Sequence, residues 1–210
     1  MKYSEFRKYF ASFGCFFVNQ VLAAMPNFDC KKLEHWRRRQ QIIKLRQNFY
    51  ALGECAMLPN YKLYLSNCIH QPSYISFRCA LVFHGMRSDK IYNENTEITA
   101  ISTIKTTAFR NDIGVFAYKK IEPKLMFGYE QHPFSNPGSR SISIAKPEKA
   151  LLDIFHIHRP NTQQDIKKLQ IDKSFVRNKI NPNNLLQMAK LYHSKALLSR
   201  IDLFRSIYGI

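Results

Sequence analysis

Residues 29–52, DCKKLEHWRRRQQIIKLRQNFYAL, decide the fold of the N-terminal part of the chain. Asp29 is a residue type that favours the start of a helix, and Leu33 and Trp36 fall on one face of a helix over 31–40. These two large side chains would anchor that face in a core. The opposite, cationic face is then exposed, and it has the charge that a DNA major groove attracts.

The candidate DNA-binding side chains lie on this exposed face or on the hairpin that follows it: Lys31, Lys32, His35, Arg38, Arg39, Lys44 and Arg46. Arg38 is the best candidate for a base contact, because arginine pairs bidentately with guanine. Lys44 and Arg46 are expected to contact phosphates. Arg37 projects toward the core side and is expected to pack there.

The segments on either side of the cationic helix predict two further helices and a β-hairpin. Apolar side chains at helical spacing predict helices over 2–10 and 18–25. The run 42–52 reads as two β-prone segments around Gln47 and Asn48, and Asn tolerates the backbone of a tight hairpin. Three helices and a hairpin predict a winged helix-turn-helix DNA-binding domain over residues 1–57.

Net charge supports a polyanionic partner. The chain has 210 residues, with 32 Lys and Arg against 15 Asp and Glu, a formal net charge of +17. Such a field attracts nucleic acid before any specific contact forms. Apolar runs are too short to span a bilayer and the first ten residues contain an acid, so we expect no membrane partner and a cytoplasmic location.

The five cysteines do not predict a zinc site or a disulfide framework. Their number is odd, and no two are separated by the two to four residues of a zinc knuckle. We expect reduced thiols, no metal and no cofactor.

Residues 58–210 predict a second, mixed α/β domain with a basic helical tail, which makes the fold class α+β. The helices are expected over 76–84 and 148–158, and the strands over 97–103, on both sides of 111–114, and over 141–145. In the last fifty residues, Asn183 is expected to cap one long helical segment.

Three blocks of this second domain carry a resemblance: PSYISFRCALVFHGM from Pro72, IGVFAYKKIEPKLMFGYE from Ile113 and SIAKPEKALLDIFHI from Ser143. Their order and spacing resemble those of the antitoxins of AbiE-type abortive-infection pairs, the type IV toxin-antitoxin systems. The segment LEHWRRRQQIIKLRQNFYAL from Leu33 also looks like the recognition helix and wing of that family. Lys146 departs from the family, which usually has a hydroxyl residue before the proline.

The basic winged helix-turn-helix predicts a DNA-binding regulatory protein and not an enzyme, and the resemblance implies what it regulates. Such antitoxins repress their own operon by binding inverted repeats in double-stranded DNA upstream of it, and they counteract a nucleotidyltransferase-like toxin as part of phage defence. In the best-known pairs no stable complex forms between the two proteins, so direct binding of the toxin stays open. A winged-helix transcriptional regulator without a toxin partner is the alternative.

Three other sets of residues could indicate a nuclease, a metal site or RNA binding, but each is a weaker signal than the winged helix-turn-helix. Asp112, Glu122 and Lys124 loosely follow the layout of metal-dependent nucleases, although Pro123 and a turn at Asp112 argue against a shared strand. The second pattern is a set of metal-ligand residue types, Asp153, His156 and His158, for which a hydrogen-bonded pair or surface residues is the better interpretation. The third is a set of aromatic residues that could stack on RNA bases, Tyr118, Phe127 and Tyr129, for which core packing is the better interpretation.

Overall fold

The computed structural model describes residues 1–86, 97–134 and 140–210. Its first part contains three helices and three strands in the order α1 (Tyr3–Phe10), β1 (Cys15–Phe17), α2 (Val18–Ala24), α3 (Lys31–Arg38), β2 (Ile42–Arg46) and β3 (Phe49–Leu52). The strands form an antiparallel sheet in the order β1-β3-β2. A 3-10 turn over Gly53–Met57 follows.

Aromatic side chains hold these first elements together. Phe6 of α1 is fully buried, and its ring centroid lies 5.1 Å from Phe16, 4.8 Å from Trp36 and 5.5 Å from Phe28. Helices α1 and α3 and strand β1 therefore meet at one ring. Leu33 and Trp36 are both buried, which confirms the predicted core face of α3.

The rest of the chain forms a mixed α/β unit. Its elements are α4 (Tyr61–Ile69), β4 (Ser73–Ile75), α5 (Phe77–Phe83), β5 (Ile98–Ser102), β6 (Thr107–Asn111), β7 (Gly114–Lys120), β8 (Tyr129–Phe134), β9 (Arg140–Ala145), α6 (Pro147–His158), α7 (Gln163–Lys168), α8 (Lys173–Lys179), α9 (Pro182–Lys190) and α10 (Lys195–Tyr208). The six strands form one mixed sheet in the order β6-β7-β5-β4-β9-β8. The α+β class is thereby confirmed.

Three elements of the second unit were not predicted, for three physical reasons. Helix α4 is buried on nearly every side, so it has no polar stripe that would reveal a helical period. Strand β4 has only three residues. Strand β8 contains Pro133, which an edge strand tolerates because one side of it has no hydrogen-bonding neighbour.

The C-terminal prediction was wrong in two details. Asn181, not Asn183, caps α9, and its Oδ1 accepts hydrogen bonds from the backbone N–H groups of Asn183 and Asn184. The single long segment is two helices, because His193 has a left-handed backbone (φ +49°) between α9 and α10. Both helices pack against α6, so the helical end of the chain is part of the second unit.

Several hydrogen bonds connect the two parts of the chain. The hydroxyls of Tyr61 and Tyr64 in α4 donate to the carbonyls of Gly14 (2.7 Å) and Phe13 (2.9 Å). At the other end, Asn111 donates to the carbonyl of Leu45 in β2 at 3.2 Å. The division of the chain at residue 57 stays a prediction, and the two parts share a contiguous buried core.

Candidate nucleic-acid interface

Helix α3 begins where Asp29 binds the exposed backbone N–H groups of its first turn. The Oδ1 atom of Asp29 accepts from the N–H of Lys31 at 3.0 Å, and its carbonyl accepts from Lys32 N at 3.1 Å. At the other end, Gln40 has a left-handed backbone (φ +57°) that turns the chain into β2. The helix has eight residues, and an α-helix with its side chains is about 10–12 Å in diameter, which fits a B-DNA major groove about 12 Å wide.

Five of the seven predicted DNA-binding residues are exposed: Lys31, His35, Arg38, Arg39 and Lys44. The first three are spaced four and three residues apart, so they form one stripe along α3. Lys44 lies on β2, the strand that directly follows the helix. We call these five residues the cationic surface.

Lys32 is only partly exposed and already has a partner. Its Nζ atom donates to the carbonyl of Met1 at 3.0 Å. Proximity of the two cations also lowers the pKa of the Met1 amino group, chiefly through the contact with the Lys32 side chain. Lys32 therefore lies at the edge of the cationic surface, toward the N-terminus.

Arg46 lies at the end of β2, next to the tip of the hairpin, and packs on two aromatic rings. It is half-buried, and its guanidinium carbon lies 5.3 Å from the ring centroid of Phe17 and 5.7 Å from that of Phe49. Its Nε atom is buried and has no hydrogen-bond partner among the described residues. The aromatic rings beneath the hairpin hold this cation.

Arg37 was predicted to pack on the core side, and this was wrong. Its side chain is 41% exposed and donates to Glu34 from Nε at 2.9 Å and from Nη2 at 2.7 Å. The i,i+3 spacing of the two residues on α3 was a signal in the sequence that favours this ion pair.

Glu34 also reaches the cationic surface. Its Oε1 atom lies 3.5 Å from Nε of Arg38, whose side chain is 77% exposed. Hydrogen bonds from Arg37 lower the pKa of Glu34 to about 2, and Arg38 contributes in the same direction. Glu34 is therefore ionised at neutral pH and partly neutralises the arginines of α3.

The nuclease-like residues are not brought together. Asp112 lies in the turn before β7, and Glu122 lies beyond its other end, so the seven-residue strand separates them by about 20 Å. Glu122 instead pairs with Lys124 at 2.8 Å.

The other two patterns from the sequence are accounted for by packing. Asp153 is fully buried and accepts hydrogen bonds from Tyr74 (2.9 Å) and Ser76 (2.6 Å). The two histidines of the same sequence pattern pack on aromatic rings, His156 on a tyrosine and His158 on Phe77. Tyr118 is fully buried, and Phe127 and Tyr129 pack against other tyrosines.

None of the helices within the described residues has the length and hydropathy that a membrane-spanning helix requires. No family model matches the chain, and no curated protein matches it.

Proposed function

We propose that the chain is a DNA-binding transcriptional repressor whose N-terminal part is a winged helix-turn-helix. The observation that carries the proposal is the arrangement of the cationic surface on α3 and β2, outside the aromatic core around Phe6. In winged-helix proteins a helix of this kind enters the major groove, and the hairpin contacts the backbone beside it. The element order and the sheet order β1-β3-β2 support this comparison.

The roles of the cationic residues follow from their positions. Arg38 and Arg39 lie in or just after the last turn of α3 and project into solvent, so we assign them to base edges. Lys31 and Lys44 lie toward the other end of the helix and on the hairpin, and we assign them to phosphates. Arg46 is left out because its guanidinium is held by Phe17 and Phe49.

The sharper proposal is that this repressor is the antitoxin of a type IV toxin-antitoxin pair. It rests on the resemblance carried by the blocks that begin at Pro72, Ile113 and Ser143. The first and third blocks include β4 and α6, which bring Tyr74 and the buried Asp153 within hydrogen-bond distance of each other. The DNA target would then be inverted repeats upstream of its own operon, and the functional partner a nucleotidyltransferase-like toxin.

A DNA-binding experiment tests the repressor role. Wild-type protein and R38A/R39A are titrated against the DNA upstream of the gene and against a shuffled fragment of the same length. We expect R38A/R39A to lose the preference for the upstream fragment while its circular dichroism spectrum is unchanged. K173A/R177A, which removes two exposed cations from α8, is the matched control and should bind as wild type does. Unchanged affinity of R38A/R39A would refute the assignment.

The antitoxin role is tested by co-expression with the nucleotidyltransferase-like protein encoded by a neighbouring reading frame. Both genes are placed under unrelated inducible promoters, so that repression of the native operon cannot contribute. We expect wild type and R38A/R39A to restore growth equally, because the resemblance assigns neutralisation to the second unit. Failure of wild type to restore growth would leave a transcriptional regulator without a toxin partner.

A further inference from the structure

Two histidines and a glutamate converge at the β8 edge of the six-stranded sheet, opposite the β6 edge that contacts β2. His84 directly follows α5, and Glu130 and His132 lie on the edge strand β8. One possible ligand atom from each side chain lies within 4.8 Å of those of the other two. All three residues are half-buried, so a small solute can reach them.

Local structure fixes the position of each side chain. Glu130 and His132 are two residues apart on a strand, so their side chains point to the same side of the sheet. The chain leaves α5 at Gly85, whose backbone (φ +100°) ends the helix just after His84. The ring of Phe83 packs against those of His132 and His84, with centroids 4.9 and 5.5 Å away.

The hydrogen bond of His84 selects the nitrogen that can bind a metal. Its Nε2 lies 2.9 Å from the carbonyl oxygen of Ala145 in β9. A carbonyl only accepts, so Nε2 carries the proton, and Nδ1 of the neutral ring keeps its lone pair. Metal-binding histidines usually donate their second nitrogen to a carbonyl or carboxylate in this way.

The remaining two ligands are already close to each other. His132 Nε2 lies 2.9 Å from Oε1 of Glu130. Bonds of about 2.0 Å in tetrahedral geometry place neighbouring ligand atoms about 3.3 Å apart. The three ligand atoms lie within 4.8 Å of one another, so side-chain rotations that close these distances by up to about 1.5 Å would let them share one ion.

We propose that His84, Glu130 and His132 bind a divalent transition-metal ion of the zinc class. Two imidazoles and one carboxylate suit Zn²⁺, and three protein ligands leave a fourth position for water. A Glu130–His132 ion pair alone would account for two of the residues. That ion pair does not explain why His84 lies beside the two residues, or why the carbonyl of Ala145 orients its ring.

Binding of the ion would tie three elements together. His84 connects the end of α5 to β9 through Ala145, and the ion would add β8. The expected effect is a rise in melting temperature of about 5 °C or more when free Zn²⁺ exceeds its Kd a hundredfold. This site is independent of DNA binding and goes beyond the proposed function.

The test uses full-length, tag-free protein that has been treated with a chelator. Isothermal titration with ZnCl₂ should give one ion per chain, with a Kd in the micromolar range or below. H132A and E130Q should each weaken this binding at least tenfold, and H84A/H132A should abolish it. H193A removes an exposed histidine elsewhere and is the matched control, which should bind as wild type does.

Cysteine binding is distinguished by a second measurement. Exposed Cys30 is an alternative ligand for Zn²⁺, so C30S should retain the site. Substituted Co²⁺ should show the visible bands of nitrogen and oxygen ligands without a thiolate charge-transfer band. Absence of binding in wild type would overturn the proposal, and so would undiminished binding by an H84A/H132A variant with a wild-type circular dichroism spectrum.

Discussion

Glu34 accepts two hydrogen bonds from the guanidinium of Arg37, from Nε at 2.9 Å and from Nη2 at 2.7 Å. The same carboxylate lies 3.5 Å from Nε of Arg38. A negative charge therefore lies within the face of α3 that we propose to meet DNA. It restrains two arginines and would repel phosphates nearby.

The first prediction is that E34Q binds DNA more tightly than wild type. The substitution removes the negative charge, keeps the side-chain shape and releases Arg38. We expect affinity for double-stranded DNA to rise about three- to tenfold at low salt and the gain to shrink as salt screens it. Fluorescence anisotropy with a labelled duplex measures this. E54Q is the control. It removes the ion-pair partner of Arg7 in the turn that follows β3, and it should change the affinity for DNA little. Equal or weaker binding by E34Q would argue against α3 as the DNA-facing helix.

The second prediction separates Lys44 from Arg46. Binding that displaces counterions gives a linear fall of log K with log salt, and each phosphate contact contributes about 0.9 to the slope. K44A should reduce the slope by about one unit. R46A should leave the slope unchanged, because the Arg46 guanidinium packs on Phe17 and Phe49. A reduced slope in R46A and not in K44A would reverse the assignment.

The contrast between these residues shows what the sequence could and could not predict. Leu33 and Trp36 were correctly placed in the core because helical periodicity depends only on local spacing. The packing of Arg46 on aromatic rings was not predicted, because it depends on Phe17, a residue of β1 distant in sequence. The strand β1 itself has three residues and no distinct pattern, so only its pairing with β3 identifies it.

The same limit applies to the sites in the second unit. The proposed metal site joins His84 to residues of β8 more than forty positions later, a proximity that a single sequence does not reveal. Asp153 and Lys149, in contrast, lie four residues apart on α6. Their pairing follows from helix geometry, but their complete burial does not.

The third prediction concerns that buried pair. Lys149 Nζ donates to Asp153 Oδ1 at 2.6 Å and to the hydroxyl of Tyr192 at 2.5 Å, and both charged side chains are fully buried. K149M leaves the carboxylate without its counter-ion, so we expect the free energy of unfolding to fall by about 3 to 5 kcal/mol. Urea denaturation followed by circular dichroism measures the loss.

Three further variants make this prediction specific. D153N should also destabilise the protein, and K149M/D153N should lose less than the sum of the two single variants, because neither charge is then left alone. K146M, at an exposed lysine just before α6, should stay within about 0.5 kcal/mol of wild type. Additive losses in the double variant would show that the two charges do not interact.

The fourth prediction is a loss of stability in mild acid that depends on His70. Burial lowers the pKa of His70 below its ordinary value of 6.5, and nearby Arg46 and Lys105 lower it further. The ring packs on Tyr118 (centroids 4.9 Å apart), and its Nε2 is buried without a hydrogen-bond partner among the described residues. The folded protein therefore resists protonation of this ring.

The direction of the pH effect follows from proton binding. Below about pH 6.5 the unfolded chain takes up a proton at His70 before the folded protein does, so the free energy of unfolding falls as the pH falls. Above that pH the contribution is fully present. Urea denaturation at pH 7.5, 6.5 and 5.5 should show a smaller decline for H70F than for wild type. H193N, at an exposed histidine, should decline as wild type does. If H70F declined as steeply as wild type, protonation of His70 would not be a source of the acid sensitivity.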